Sequence, residues 1–108
     1  MKKETLFQQK VWKAMDLIPK GKVTTYKEIA KFLNTKAYQA VGSAVGKNPN
    51  APKTPCHRVV NSDGRVGNYS GKGGVKRKIE LLKNEGVEVK EGKIADFENK
   101  MFYFNKSS

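Results

Sequence analysis

Residues 23–46, VTTYKEIAKFLNTKAYQAVGSAVG, decide the fold. The stretch opens on a short extended V-T. Thr25 and Glu28 then stand in the spacing of a capping box, whose side chains satisfy free N–H groups at a helix start. YKEIAKFL is therefore predicted as a helix. Asn34 or Thr35 is expected to cap the next one, KAYQAVGSAVG, after a break of only a few residues. Two short helices joined this tightly read as a helix-turn-helix, and the second is the candidate for contact with nucleic acid. The alternative is an ordinary helical hairpin, which has no reason to be basic or glycine-rich. AVGSAVG carries no long side chain that could reach a base edge, but its small residues let the backbone approach a groove wall. Such contacts position a protein without reading sequence. Only Tyr38 and Gln39 have reach, so weak sequence preference is expected.

Upstream, TLFQQKVWKAMDLI places Phe7, Val11, Ala14, Met15 and Ile18 on one helix face, with Thr5 and Gln8 as a capping box and Pro19 as the stop. Downstream, NPNAPKTP at 48–55 has three prolines and predicts a stiff, extended loop into Cys56. HRVV, the turn at Asp63-Gly64 and RVGNY predict a hairpin, which after a helix-turn-helix would be a wing. GNYSGKGG lacks the spacing of a phosphate-binding loop. VKRKIELLKNEG predicts a helix with Val75, Ile79 and Leu82 on one face and Gly86 at its end. The remainder reads as a second hairpin and an apolar MFYF packed on the core. At 108 residues the chain suits one domain. The fold class expected is mainly α (α+β), a winged helix-turn-helix-like domain over residues 1–92 with a small β wing, and a C-terminal tail at 93–108.

Lys and Arg number 22 against 10 Asp and Glu, a net charge of +12. That excess is the electrostatic footprint of a nucleic-acid binder, whose affinity comes from neutralising phosphates and falls with salt. An anionic membrane surface would favour one basic amphipathic helix, whereas here the lysines are spread along the chain. No apolar run approaches the roughly 20 residues of a membrane span, so a cytoplasmic, nucleoid-associated protein is expected. One cysteine and one histidine supply too few ligands for a closed zinc site, and no metal or cofactor is expected.

Those two residues are neighbours in TPCHRVV, at 56 and 57. A thiol is nucleophilic as the thiolate, so a base or a positive environment must help. His57 is the one side chain suited to be the base, and Arg58 would favour the anion. Adjacent residues in extended chain point to opposite sides, which makes direct Cys56–His57 contact doubtful without a bend at Pro55 or a bridging water. A lone cysteine is also commonly a small buried apolar residue. What raises this one is its presentation by a proline loop beside a helix-turn-helix.

PCHRVV at 55–60 followed by VGNYSG at 66–71 resembles the active-site region of the O6-alkylguanine-DNA alkyltransferases. The similarity runs through FQQKVW, VTTYKEIA, AVGSAVGKNP and LLKNEG, from Phe7 to Gly86. The resemblance implies that Cys56 takes the alkyl group from O6 of a guanine flipped out of duplex DNA and keeps it as a thioether. It further implies that Glu85 orients His57, which acts through water on Cys56, while Asn48 holds the active-site turn and Tyr26 protonates the leaving guanine. The backbone of Cys56 and Val59 would accept from the exocyclic amine, and Tyr69, Ser70 and Val45 would line the pocket. Thr25, Tyr26, Gln39, Ala40, Gly42, Ser43, Lys47 and Arg58 would meet the DNA, in its minor groove and with little sequence specificity. A monomer is expected.

The sequence departs from the family in two places. Gln39 stands where the family usually places an arginine that fills the gap left by the flipped base. Longer members also carry an N-terminal domain, sometimes with zinc, whereas here the first helix is expected almost at Met1, so no zinc is carried over. Short alkyltransferase-like relatives bind the lesion without repairing it and recruit other repair proteins. They typically have tryptophan at the position of Cys56, so the cysteine favours an enzyme.

Overall fold

A computed structural model describes residues 5–69 and 72–104. Helix α1 (Leu6–Met15) starts on the expected capping box: Thr5 Oγ1 accepts from the Gln8 N–H and Gln8 Oε1 from the Thr5 N–H, both at 3.0 Å. Its buried face, Val11, Ala14 and Met15, continues into Ile18 ahead of Pro19. Strand β1 (Thr24–Thr25) leads directly into α2 (Tyr26–Phe32), where Thr25 Oγ1 accepts from the Glu28 N–H. The reciprocal half of this box is not made, and Glu28 lies 3.8 Å from Lys31 instead.

The turn between the two helices differs from expectation. Asn34 ends α2 in the left-handed conformation (φ 58°), which its short polar side chain tolerates, and caps nothing after it. Thr35 accepts from the Ala37 N–H, and α3 (Tyr38–Gly46) begins later than expected, without a side-chain cap. Packing fixes α3 in place of a cap. Val41, Ala44 and Val45 face the core, and the Trp12 indole N–H of α1 donates to the Ala44 carbonyl at 2.7 Å.

The hairpin expected at 57–69 is corrected. Its turn forms, with Gly64 at φ 89° and Asp63 Oδ1 accepting from the Arg65 N–H. Its arms, however, take different partners. After a short 3-10 turn (Cys56–Arg58), strand β2 (Val59–Val60) pairs in parallel with β1, Thr24 against Val59 and Thr25 against Val60, while Arg65 bridges to Lys93. Val59 and Val60 are wholly buried, and a strand covered on both faces suits a parallel pair inside the core better than a wing.

Helix α4 (Gly74–Asn84) ends at Glu85, with Gly86 at φ 88° just beyond. The wing is the second hairpin, β3 (Val89–Lys90) with β4 (Lys93–Ile94), turned through Glu91 and Gly92, both at positive φ. The short α5 (Phe97–Lys100) follows, and Met101 then bridges to Val23 on the other side of β1. Phe104 is buried and stacks on Phe32 with ring centroids 4.6 Å apart, and Tyr103 points outward. The molecule is thus mostly helical, with a helix-turn-helix and two short sheets. Residues 93–104 are part of the packing.

Candidate active site

The loop from Asn48 to Pro55 is tied down by its own first residue. The Asn48 side-chain amide donates to the Thr54 carbonyl at 2.7 Å, and Asn48 Oδ1 accepts from the Asn50 N–H. The 3-10 turn that follows separates the two reactive residues. Cys56, 4% exposed, faces a cavity, whereas His57, 2% exposed, turns inward toward the end of α4. The cavity holds about 680 Å³ and is open to solvent. Cys56, Tyr26 and Tyr69 line its inner part, Val45, Gly42 and Gly46 of α3 form one wall, and Tyr38 and Gln39 stand on that wall at the first turn of the helix.

Glu85 is the hub behind the cysteine. His57 Nε2 lies 3.1 Å from Glu85 Oε2, and Arg58 donates to both carboxylate oxygens, from Nε at 2.9 Å and from Nη2 at 2.6 Å. Burial works against ionisation of Glu85, but the hydrogen bonds from Arg58 and His57 outweigh it and hold the carboxyl below its ordinary range. An ionised carboxylate only accepts, so the hydrogen bond assigns the proton to His57 Nε2. Burial pulls the His57 pKa down against the opposing pull of Glu85, so at neutral pH the ring is neutral. Its Nδ1 is then a buried acceptor with no protein partner among the described residues. A neutral imidazole held in one tautomer, with its other nitrogen free to accept, is the form a general base requires.

Two residues expected at the DNA are placed elsewhere. Besides gripping Glu85, Arg58 donates from Nη1 to the Ile18 carbonyl at 2.7 Å, which leaves its guanidinium spent inside the fold. Thr25 is buried and its hydroxyl serves as the cap of α2. Ala40, Ser43, Lys47 and Gln39 are exposed on α3 or at its end, with Gly42 half-buried beside them. The expectation for Ser70 falls outside the described residues.

Lys78 is not among the candidates that the sequence motifs supply. It is fully buried, and its ammonium donates to the carbonyls of Val59 at 2.8 Å, Val66 at 2.6 Å and Asn68 at 3.0 Å, so one side chain ties β2 to the loop that carries Tyr69. Burial lowers its pKa to about 8, opposed by the nearby Cys56. Lys78 is therefore a buried cation near the thiol, a part that the sequence gives to Arg58. The Val59 carbonyl that it binds keeps a second lone pair for another donor. A signal was present in the sequence: Lys78 stands four residues before Leu82, on the apolar face of its helix, where a charge must find oxygen partners. Burial also raises the pKa of Tyr26 and, with it, that of Tyr69, and Cys56 adds to both, so each phenol keeps its proton.

Residues 6–87 match the family of 6-O-methylguanine DNA methyltransferase DNA binding domains. The chain belongs to this family. Among its curated relatives, the methylated-DNA–protein-cysteine methyltransferase of Methanosarcina mazei is 47% identical over 80% of the chain and 54% of its own length. The Rattus norvegicus methyltransferase is 41% identical over 78% of the chain and 40% of its own length. The chain thus spans about half of these alkyltransferases, or less. Among solved structures, Mycobacterium tuberculosis OGT in complex with DNA shares 45% identity with a TM-score of 0.72, covering 77% of this chain and 51% of that one. S. pombe Atl1 in complex with damaged DNA containing O6-carboxymethylguanine shares 30% identity with a TM-score of 0.80, covering 95% of this chain and all of Atl1. Among the described residues, no helix is long and apolar enough to cross a membrane and no cluster of three or more His, Cys, Asp or Glu is assembled.

Proposed function

We propose that this alkyltransferase-family chain binds duplex DNA as a monomer through the outer face of α3, in the minor groove and with little sequence preference. It receives a flipped O6-alkylguanine in the cavity and moves the alkyl group to Cys56. The observation that carries the reading is the placement of Cys56 on the wall that a flipped base would meet, with the His57–Glu85 pair behind it. In the transfer, the Cys56 proton passes through a bridging water to the free Nδ1 of His57, and a bond forms from Sγ to the alkyl carbon. The bond from that carbon to O6 breaks, its electron pair stays on the guanine, and the Tyr26 hydroxyl supplies a proton to the leaving base. The product is a thioether and an unmodified guanine. A thioether is a stable bond and nothing among the described residues of the site returns it to a thiol, so each chain acts once. A net charge of +12 supports the DNA affinity this requires.

The test is intact-mass measurement after incubation with duplex carrying O6-methylguanine. The expected result is a gain of one methylene per chain, located on Cys56, with no further turnover. A second reading, a lesion sensor without transfer, is favoured by the end-to-end match to Atl1. An unchanged mass together with tight binding of the lesion duplex would establish that reading and overturn the first.

A further inference from the structure

On the cavity rim stands an aromatic side chain that the core does not use. Tyr38 opens α3 and is 47% exposed, in a helix whose other outward residues are small or polar. Tyr38, Gly42 and Gly46 follow one another at steps of four, so they form a single stripe, and all three line the cavity. The stripe is one broad flat ring followed by two residues without side chains. A Cβ placed at Gly42 or at Gly46 would meet no atom within 4 Å. α3 therefore offers an open trough with the ring standing at its entrance, beside the cavity that ends at Cys56.

A base that leaves the stack exposes the faces of its neighbours, at a cost of a few kcal/mol. A side chain that closes the gap recovers part of it, and an aromatic face stacks well on any base. Gln39 next door is neutral and has no such face. Building on the reading of the chain as a base-flipping protein, we infer that Tyr38 is the wedge: its ring enters the gap left by the flipped nucleotide and stacks on the adjoining base pair. Gln39 is left with the smaller task of hydrogen-bonding the orphaned partner base. The phenol hydroxyl is not needed for this, and the ring is.

Binding is compared on three otherwise identical duplexes: undamaged, carrying O6-methylguanine, and carrying an abasic site opposite cytosine. The abasic duplex has the gap without any flipping. Tyr38→Ala is expected to weaken binding to the lesion and abasic duplexes about tenfold, and to leave the undamaged duplex within about twofold. Tyr38→Phe and Tyr38→Trp should retain wild-type discrimination, and Gln39→Ala should lose less than Tyr38→Ala. Thermal unfolding of Tyr38→Ala should match the wild type, since the ring belongs to neither of the two buried apolar clusters. The inference is overturned if Tyr38→Ala weakens all three duplexes equally, if it weakens none, or if Tyr38→Phe behaves like Tyr38→Ala. Should the wild type ignore O6-methylguanine but prefer the abasic duplex through Tyr38, the wedge stands and the lesion reading falls.

Discussion

At the scale of single residues, the cysteine and the lysine behind it make separable demands. Cys56→Ser keeps the shape of the cavity wall and removes the sulfur, so alkyl transfer should vanish while affinity for lesion duplex stays within about twofold. A parallel loss of both, by mass measurement and anisotropy, would mean that the thiol is structural. Lys78 gives a pH dependence with opposite signs for rate and stability. The transfer rate should fall as pH rises through about 8, where the buried ammonium loses the charge that lies near Cys56. Folding stability should move the other way: above about 8 the unfolded chain still holds this proton, up to its ordinary 10.5, while the folded chain has released it. More protons bound in the unfolded state means stability that rises with pH. Single-turnover rates and denaturant melts across this window would refute the assignment if rate and stability fell together. Cys56, His57 and Glu85 were legible because they lie in recognisable motifs. Lys78 was not, since one lysine among many carries little signal until its position on an apolar face is weighed.

At the scale of elements, α3 is built to be approached. Gly42 has ordinary helical backbone and free space where a side chain would begin, so Gly42→Leu should leave the fold intact and raise helix stability by up to about 1 kcal/mol. The same change should cut DNA affinity at least tenfold by filling the trough. Melting temperature and binding measured on one preparation decide it, and unimpaired binding would place the DNA on another face. The helices were readable from caps and spacing. The strands were misread for a physical reason: β1 and β2 are two residues each and pair in parallel across remote segments, so they leave no local alternation and no turn between them. Val59 and Val60 look the same in sequence whether their partner follows at once or came earlier. The same rule of local signals places the wing one hairpin too early, although the turn at Glu91-Gly92 also reads as a hairpin.

At the scale of the whole molecule, the C-terminal residues 93–104 belong to the structural unit. Phe104→Ala should cost about 3 to 5 kcal/mol, since its ring is buried against Phe32 and Phe102. Chemical denaturation checks this, and a loss below about 1 kcal/mol would make the segment an accessory. Its burial is legible in the apolar MFYF, but its partners are not, because a short apolar run does not say against what it packs. The place where it closes is β1. This strand has Val59 and Val60 on one side and Met101 on the other, and the Thr24 hydroxyl donates to the Phe102 carbonyl, 78 residues further along the chain. Contacts so distant in sequence form late, after the intervening loops have closed. The helix-turn-helix can therefore gather early, whereas the sheet that leads into Cys56 is closed only when Met101 and Phe102 dock beside β1. The thiol is thus set in its surroundings late in folding, after residues 101 and 102 have closed on β1.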